Sequence, residues 1–372
     1  MPLKVAIVHD YLVQRGGAER VVEVMHEMYP DAPIYTSVYN RDTTWPSFRR
    51  MDVRPSFIQR ITTSNQISRA LLPLYPFAFA RFDLRGYDVV LSSTTAFAKG
   101  VRPPPGVPHV CYCNAVTRFL WGAQAYFAQQ GASLPVRLGV GALGTALRPW
   151  DYAAAQRVTQ FVAGSANTAQ RIKHYYNREA VVCHSPIDAA RFAPSDHVEG
   201  YYFVVSRLNA YKRIDLAVQS CTRLDLPLLV AGEGPDRARL EAMAGPTVRF
   251  LGRVSDDELR RHYASCRAFI LPGEEDFGLT PLEAMASGRP IIAYAAGGAL
   301  ETVVEGVTGT FFRAQTVNAL EQVLRGFDTD RYDPARLREH AMGFDKEAFK
   351  RKLAGVVDRT VSGAASYSAL RR

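Results

Sequence analysis

The sequence contains few cysteines and no long apolar run. None of its apolar runs reaches the length of about 18 residues that a membrane-spanning helix requires. The first residues lack the apolar stretch and cleavage site of a signal peptide, so we expect the chain to remain in the cytoplasm. The five cysteines are odd in number and irregular in spacing, which favours buried free thiols in a reducing compartment over a disulfide framework or a zinc site.

Two further motifs are absent. No Gly-x-Gly-x-x-Gly follows the first predicted strand, which argues against a nicotinamide dehydrogenase. No nucleic-acid-binding motif accompanies the basic charge, so we expect no nucleic-acid partner. Residues 1–200 contain 21 Lys and Arg against 14 Asp and Glu, whereas residues 201–372 contain 24 against 22. A basic first half of this kind suits an anionic substrate or an anionic membrane surface.

The composition is that of a globular protein, because 47% of the residues are hydrophobic. The length of 372 residues is enough for two domains. Short continuous apolar runs alternate with helical patterns, which indicates parallel strands buried on both faces and an α/β fold of two doubly wound sheets. The predicted strands are Lys4–His9, Asp88–Ser92, His109–Cys113, Gln160–Gly164, Val181–Cys183, Tyr202–Ser206, Leu228–Ala231, Val248–Leu251, Ala268–Leu271, Pro290–Tyr294 and Gly309–Phe312.

A polar segment with Pro and Gly, Pro194–Gly200, precedes a fresh strand and predicts the domain boundary. We expect domains at 1–196 and 197–345, followed by a C-terminal helix over 346–372 that crosses back to the first domain and ends in a frayed tail. Ligands of such sheets sit beyond the carboxyl ends of the strands, so two sheets that face each other would form a central cleft.

The strongest motif is the segment 272–286, which follows a predicted strand. Thr280 is predicted to cap a helix, and Gly278 lets the backbone approach a ligand. Free N–H groups at a helix N-terminus suit a phosphate, and the Glu275 carboxylate can accept hydrogen bonds from hydroxyls. Two alternatives remain at this stage. Glu283 could serve a capping box with Thr280, and Glu275 could belong to a solvated acidic loop.

The spacing Glu275-x7-Glu283 around Phe277-Gly278-Leu279 resembles the hallmark of the family 4 retaining glycosyltransferases. The resemblance covers nearly the whole chain and implies the GT-B fold, in which two Rossmann-like domains face a central cleft. Four more segments resemble family motifs in the family's order, namely the N-terminal glycine loop at 10–20, the diphosphate clamp at 206–213, the strand-end glycine turn at 231–235 and the nucleobase loop at 250–254.

The resemblance implies a set of site residues. Arg207 and Lys212 would hold the diphosphate of a nucleotide sugar, Glu275 would bind hydroxyls of its sugar, and Glu283 would accept from the ribose. Surface ion pairs with Glu233 or Asp215 are the alternative for the two cations, an N-cap is the alternative for Ser165, and a plain turn is the alternative for the two N-terminal glycines. The other implied donor-binding residues are Gly16, Gly17, Ser165, Gly232, Gly234, Arg253, Val254, Phe277, Gly278, Leu279 and Thr280.

Residues 109–121 resemble a segment of a subfamily that builds bacterial surface polysaccharides, often from GDP-mannose. Asn114 stands where the subfamily has a histidine that faces the donor sugar. Asparagine can still donate and accept hydrogen bonds, so we expect a changed donor rather than a lost activity. His109, Arg118 and Trp121 are candidates for the acceptor side, where Trp121 could equally fill the core.

The stretch from Ser64 to Phe82 is rich in aromatic and aliphatic residues and is flanked by arginines. Such a stretch can lie on an anionic membrane, or it can pack in the core of the first domain. The resemblance adds that family members act on lipid-linked sugars at the inner leaflet. We therefore expect peripheral contact with the inner face of the membrane.

Together these features predict a retaining, metal-independent glycosyltransferase that needs no cofactor. It would transfer a hexose, mannose from GDP-mannose in the first instance, to a hydroxyl of a glycan or lipid-linked acceptor. UDP-glucose or another nucleotide sugar is the alternative donor. An epimerase or a phosphorylase is another enzyme class to consider. An inactive, partner-dependent sugar-nucleotide-binding protein is the non-enzymatic alternative.

Overall fold

The computed structural model describes residues 3–63, 71–121 and 134–369, without the side chains at 134–143 and 365–369. The chain forms two compact units. The first contains the described residues up to Pro186 together with the C-terminal helix from Glu347, and the second contains Ile187–Lys346. In the sequence-predicted membrane segment, the described part therefore begins at Leu71, and residues 64–70 lie outside the described residues.

The first unit is built on a parallel sheet whose described strands have the order β3-β2-β1-β4-β5-β6-β7. The strand order reverses between β1 and β4, and ligands of doubly wound sheets bind beyond the strand ends at such a point. The strands are β1 Val5–His9, β2 Ile34–Thr36, β3 Val53–Pro55, β4 Val89–Thr94, β5 His109–Cys113, β6 Gln160–Ala163 and β7 Ala180–Val182. The helices are α1 Gly17–Met28, α2 Tyr75–Ala80, α3 Arg118–Trp121, α4 Leu134–Gln156 and α5 Ala166–Tyr176.

The second unit is built on a second parallel sheet, with described strands in the order β10-β9-β8-β11-β12-β13 and a reversal between β8 and β11. The strands are β8 Tyr202–Val205, β9 Leu228–Ala231, β10 Val248–Gly252, β11 Ala268–Leu271, β12 Ile291–Tyr294 and β13 Gly309–Phe312. The helices are α6 Ile214–Arg223, α7 Arg237–Ala242, α8 Asp256–Ser265, α9 Leu279–Ala286, α10 Ala299–Thr302, α11 Val317–Arg325 and α12 Pro334–Met342. Single turns of 3₁₀ helix occur in both units at Pro46–Arg50, Phe57–Arg60, Leu72–Leu74, Ala98–Gly100, Ala189–Arg191, Ala210–Lys212 and Thr329–Arg331.

The last helix, α13 Lys346–Ala369, completes the core of the first unit. Its apolar residues Phe349, Leu353, Val356 and Val357 are buried in the cluster that also holds strand residues of β1, β4 and β5. The ring of Phe349 lies edge-on to Tyr112 of β5 at a centroid distance of 5.4 Å. The first unit is thus assembled from two distant parts of the chain.

The predicted α/β class with two doubly wound parallel sheets is confirmed. The eleven predicted strands are present. The prediction missed β2, which follows Pro33, and β3, which ends in Pro55. The predicted boundary at 196/197 lies within the second unit. The physical reason is that Ile187 and Phe192 are already buried in that unit's core, and Arg289 donates to the carbonyls of Ser195 and His197.

Two further expectations from the sequence can be compared with the fold. All five cysteines are free and buried, as predicted. Across the described ranges, no helix combines the length and the apolar character needed to cross a membrane.

Candidate functional site

The centre of the candidate site is a contact between Lys212 and Glu275 at the carboxyl ends of β8 and β11. The Lys212 ammonium donates to Glu275 Oε1 across 63 residues of sequence. The two side chains are 13% and 20% exposed, so the pair is screened from most solvent but remains reachable. Ser206 and Gly273 line the same small cavity. The structure therefore brings together two of the three predicted catalytic residues.

Arg207, the third of these residues, is exposed in the loop that follows β8. Ion pairs with Glu233 or Asp215 were the alternative role for the cations. In the structure Glu233 pairs with Arg237 at 2.6 Å, and Asp215 pairs with Arg213 at 3.2 Å. Both acids are thus engaged by arginines other than Arg207.

Gly232 and Gly234 hold the Arg207 loop in place. A Cβ on Gly232, which has φ +125°, would lie 1.9 Å from the carbonyl oxygen of Ser206. A Cβ on Gly234 would lie 2.3 Å from the carbonyl oxygen of Leu208. No side chain fits at either distance, so the glycine turn after β9 packs directly on the backbone that carries Arg207.

The predicted nucleobase loop lies beside this glycine turn. The Gly232 N–H donates to the carbonyl of Gly252 at 2.7 Å, and a Cβ on Gly252 would lie 2.8 Å from Glu233 Oε1. Arg253 is exposed and Val254 is half-buried just beyond it. Two motifs that are separate in sequence thus form one edge of the second sheet.

Helix α9 begins one residue before Thr280, so the predicted cap is wrong. Its N-cap is Gly278 with φ +89°, no side chain caps it, and Thr280 lies inside the first turn. The left-handed conformation of Gly278 ends the preceding loop earlier than a threonine cap would. The capping box predicted as an alternative role for Glu283 required Thr280 as the N-cap, so it does not form. Glu283 accepts a hydrogen bond of 2.9 Å from the Tyr263 hydroxyl. Burial and the Glu283 charge raise the pKa of Tyr263 well above its usual value, so this hydroxyl remains a donor.

A second glycine pair, Gly297-Gly298, supports the Glu275 loop and was missed by the sequence analysis. The Gly298 N–H donates to the carbonyl of Glu275 at 2.9 Å. A Cβ on Gly298 would lie 2.3 Å from Cα of Phe277, whose own side chain is buried against Phe344. Phe277 can therefore offer a ligand only its backbone. The signal in the sequence was a Gly-Gly pair three residues after the predicted strand Pro290–Tyr294.

In the first unit, Asp10 organises the loop after β4 at the point where the strand order reverses. Its buried carboxylate accepts hydrogen bonds from the N–H groups of four consecutive residues, 95–98, and from the Thr95 hydroxyl. A carboxylate with five donors is fully satisfied. Asp10 therefore fixes the loop and has no remaining capacity for a ligand.

Asn114 follows β5 at the same edge of the sheet. Its side-chain amide donates to Ser93 Oγ at 2.9 Å and to the carbonyl of Thr94 at 3.4 Å. The neighbouring His9 donates through Nδ1 to the Ser93 carbonyl, 3.0 Å away. The Asn114 amide nitrogen is thus committed to the protein, which leaves its oxygen as the atom that can meet a ligand.

Gly16 is the N-cap of α1 and Gly17 its first residue. A Cβ on Gly16 would lie 2.6 Å from Glu19 Oε2. Glu19 is buried, and its other oxygen lies 3.9 Å from His9 Nε2. Burial alone would lower the pKa of His9, but the hydrogen bond and charge of Glu19, together with Asp10, raise it above its ordinary value.

The structure does not bring His109 to this edge. His109 is the first residue of the five-residue strand β5, so it lies at the amino end, opposite Asn114. It is buried, its Nε2 contacts Ser92 Oγ at 2.7 Å, and burial with the nearby Arg157 charge lowers its pKa to about 3. The prediction of an acceptor role for His109 is wrong for this geometric reason.

Trp121 and Ser165 have structural partners. Trp121 donates through Nε1 to the buried Asp151 at 2.8 Å. The Ser165 hydroxyl accepts from the Thr168 N–H at 2.9 Å and caps α5, which is the alternative that the sequence left open. Arg118 is half-buried at the start of α3.

A buried ion pair that the sequence analysis missed holds the segment after Asn114. Lys99 Nζ lies 2.5 Å from Asp151 Oδ1 and 2.9 Å from the Thr117 hydroxyl, and the Tyr176 hydroxyl donates to Asp151 at 2.7 Å. Lys99 and Asp151 are both about 1% exposed or less. Every charge in the network has partners, as buried charges require. The available signal was a lysine within an otherwise apolar stretch.

Comparison with known proteins finds a family match within the second unit. Residues 187–343 match the family described as Glycosyl transferases group 1. A GDP-mannose-dependent alpha-mannosyltransferase of Mycolicibacterium smegmatis is 30% identical over 197 residues, which is 50% of this chain and 52% of the relative. Sulfoquinovosyl transferase SQD2 of Arabidopsis thaliana is 35% identical over 133 residues, which is 34% of this chain and 26% of the relative. The chain thus spans about half the length, or less, of these curated relatives.

Solved structures match both units. Sucrose-phosphate synthase from Thermosynechococcus elongatus has a TM-score of 0.75 at 18% identity and covers 97% of this chain and 100% of its own. Anabaena HepE in complex with UDP and glucose has a TM-score of 0.70 at 17% identity, with coverages of 96% and 100%. The class of fold is therefore GT-B, as the resemblance implied.

Proposed function

We propose that this chain is a retaining glycosyltransferase that moves a hexose from a nucleotide diphosphate sugar to an acceptor hydroxyl. The observation that carries the proposal is the contact between Lys212 and Glu275. A cation suits the diphosphate and a carboxylate suits sugar hydroxyls, and both lie at the reversal of strand order in the second sheet. When a donor binds, its phosphates would pair with Lys212 in place of Glu275. The Glu275 carboxylate would then accept hydrogen bonds from the hydroxyls of the donor sugar.

In this proposal, Arg207 and Lys212 stabilise the charge that develops on the leaving diphosphate. The α9 N-terminus at Gly278 and Leu279 offers further N–H groups to the donor. The leaving phosphate takes the proton of the acceptor hydroxyl, which attacks the face that the phosphate leaves, so the anomeric configuration is kept. The protein contributes charge and positioning, without a cofactor and without a resident metal.

The proposed donor is GDP-mannose, with UDP-glucose as the alternative. Support for mannose comes from the similarity to proteins named GDP-mannose-dependent alpha-mannosyltransferase. Support for the alternative comes from the fold shared with HepE, which was solved with UDP-glucose. The Asn114 amide nitrogen is taken by Ser93 and Thr94, so in this proposal the Asn114 oxygen accepts a hydrogen bond from a hydroxyl of the donor sugar.

We propose a glycan or lipid-linked acceptor and peripheral contact with an anionic membrane. In the described part of the aromatic stretch, Tyr75 and Phe79 pack in the core, whereas Phe77 is 63% exposed. Ile61, beside Arg60, is 56% exposed. Exposed apolar side chains next to arginines suit the interface of an anionic bilayer.

The test is calorimetric titration of GDP, UDP and ADP, and then of GDP-mannose and UDP-glucose, into the wild-type protein, Glu275→Ala and the exposed neighbour control Glu274→Ala. We expect one nucleotide to bind, its sugar conjugate to bind at least as well, and Glu275→Ala to weaken the conjugate about tenfold or more through the lost hydrogen bonds. Glu274→Ala should bind like the wild type. Absence of nucleotide binding at millimolar concentration would overturn the proposal.

A further inference from the structure

The half-buried side chain of Gln315 joins the two loops that carry Lys212 and Glu275. Its Oε1 accepts a hydrogen bond of 3.1 Å from Arg213 Nη1, and its Nε2 donates to the carbonyl of Pro272 at 3.2 Å. Arg213 directly follows Lys212 in the loop after β8. Pro272 lies three residues before Glu275 in the loop after β11. Because an arginine only donates and a carbonyl only accepts, one amide serves both loops with both of its ends.

Arg213 is held in one orientation at its end of this bridge. Its backbone has φ +52°, in the left-handed region that residues other than glycine seldom adopt. Its Nε and Nη2 donate to the two oxygens of Asp215 at 3.2 and 3.3 Å, which leaves Nη1 for Gln315. A strained backbone of this kind persists where surrounding contacts determine it. The side-chain contacts of Arg213 therefore fix the backbone next to Lys212.

The backbone that carries Gln315 is anchored as well. Gln315 lies between β13 and α11, directly before the residue that caps this helix. The hydroxyl of that residue, Thr316, accepts from the N–H of Ala319 at 3.3 Å. Ser220 of α6, the helix that directly follows the Lys212 loop, donates to the carbonyl of Val317 at 3.2 Å. The Gln315 side chain thus extends from a fixed point to both loops.

This bridge differs from the ion pair at the centre of the site in what donor binding does to it. The two loops touch at Gly273, where a Cβ would lie 2.6 Å from the carbonyl oxygen of Lys212. Beyond this backbone contact, the Lys212 ammonium contacts Glu275 directly. In the proposed function the phosphates of the donor replace Glu275 at Lys212, so the ion pair no longer joins the loops. Neither hydrogen bond of Gln315 uses these two charged groups, so both remain when they separate.

We infer that Gln315 is a positioning residue, which holds the Lys212 loop against the Glu275 loop while the diphosphate of the donor is bound. This inference rests on the proposed function for its ligand. Gln315 acts through Arg213 and Pro272 and not by contact with the donor. It lies outside the segments 206–213 and 272–286 that the sequence analysis assigned to the site.

The test uses Gln315→Met, which keeps the length of the side chain and removes both hydrogen bonds. The matched control is Gln322→Met at an exposed position of α11. Calorimetry measures the binding of GDP and of UDP to the wild type, to both variants, to Lys212→Ala and to the double variant of Lys212→Ala with Gln315→Met. Amide hydrogen exchange of the free proteins measures the protection of the two loops without any ligand. Thermal unfolding shows that each variant is folded.

We expect Gln315→Met to weaken the nucleotide that the wild type binds about tenfold, and Gln322→Met to bind it like the wild type. In the Lys212→Ala background, Gln315→Met should change the affinity by less than about twofold, because a residue that acts through Lys212 has no further effect once the ammonium is removed. In the free Gln315→Met protein, amide exchange should be faster at 207–213 and at 273–278 than in the wild type, and unchanged in the strands.

Equal weakening by Gln315→Met in the wild-type and Lys212→Ala backgrounds would overturn the inference, because it would indicate a general structural effect. Unchanged nucleotide affinity of Gln315→Met would overturn it as well, whatever the exchange shows. Failure of the proposed function is distinguishable, because it appears as absent binding of both nucleotides to the wild type at millimolar concentration. The exchange of the free proteins still shows in that case whether Gln315 joins the two loops.

Discussion

Single glycines set the geometry of the candidate donor site at the residue scale. Gly232 and Gly234 let one loop lie on the backbone of another, and Gly297 and Gly298 do the same for the Glu275 loop. Their contribution is the absence of a side chain at distances of about 2 Å from neighbouring backbone atoms. Glycines, which have no side chain to bind a ligand, therefore determine where the charged residues of the site lie.

Gly232→Ala should displace the loop that carries Arg207. The strained φ alone costs about 1–3 kcal/mol, and the clash with the Ser206 carbonyl adds to it. We expect a lower urea midpoint and weaker binding of the nucleoside diphosphate. Gly200→Ala, which meets no atom within 4 Å, is the control and should match the wild type in both measurements. A Gly232→Ala variant with unchanged stability and binding would contradict the role given to this turn.

At the scale of elements, strand β5 has two ends with different roles. Its carboxyl end leads to Asn114 at the candidate site, whereas its amino end buries His109 against Ser92. Because burial and Arg157 lower the pKa of His109 to about 3, the imidazole stays neutral in the fold while the unfolded chain binds a proton near pH 6.5. The unfolded state therefore binds more protons between these values, and stability must fall as pH falls.

His109→Gln should flatten the loss of stability in acid. Between pH 6.5 and pH 4, we expect His109 to lower the free energy of unfolding of the wild type by on the order of a few kcal/mol. The variant should be less stable than the wild type at neutral pH, but its free energy of unfolding should fall less in acid. Urea unfolding at a series of pH values measures the difference. His174→Gln, at an exposed histidine, serves as the control. Parallel pH profiles for the wild type and His109→Gln would refute the assignment.

The elements themselves were largely readable from the sequence, because strands buried on both faces appear as continuous apolar runs. Strand β5 was predicted with its observed bounds, His109–Cys113. Strands β2 and β3 were not, because β2 follows Pro33 and β3 contains Arg54 and Pro55, so neither stands out as a continuous apolar run. The site residues Lys212 and Glu275 were predicted by motif, but their contact depends on two loops that meet in three dimensions. His109 was misplaced because it was assigned from the resemblance of residues 109–121, although the predicted strand His109–Cys113 already put it at the amino end, away from the ligand side.

At the scale of the whole molecule, α13 joins the end of the chain to the core of its first unit. Leu353 and Val357 are fully buried there, and Lys350 of the same helix pairs with Glu27 of α1 at 2.7 Å. The predicted crossing of the C-terminal helix back to the first domain agrees with this packing. The stability of the first unit should therefore depend on residues that follow the second.

Leu353→Ala should destabilise the first unit by about 2–5 kcal/mol, the range for removing a buried leucine side chain. Lys352→Ala, at the exposed neighbouring position, should change stability by less than about 0.5 kcal/mol. Thermal unfolding measures both. Nucleotide titration should remain unchanged at temperatures where Leu353→Ala is folded, because the proposed nucleotide residues belong to the second unit. Equal unfolding temperatures for the two variants would contradict the packing.

The position of α13 also dictates an order of events during synthesis. The ribosome makes residues 187–346, the whole second unit, before it makes Phe349 and the other apolar residues that close the first core. Until α13 is synthesised, the core of the first unit is incomplete, and the apolar surface that α13 covers is exposed to solvent. The first unit therefore completes its folding last, although its N-terminal residues are synthesised first. Until then its exposed apolar surface makes the nascent chain prone to aggregation.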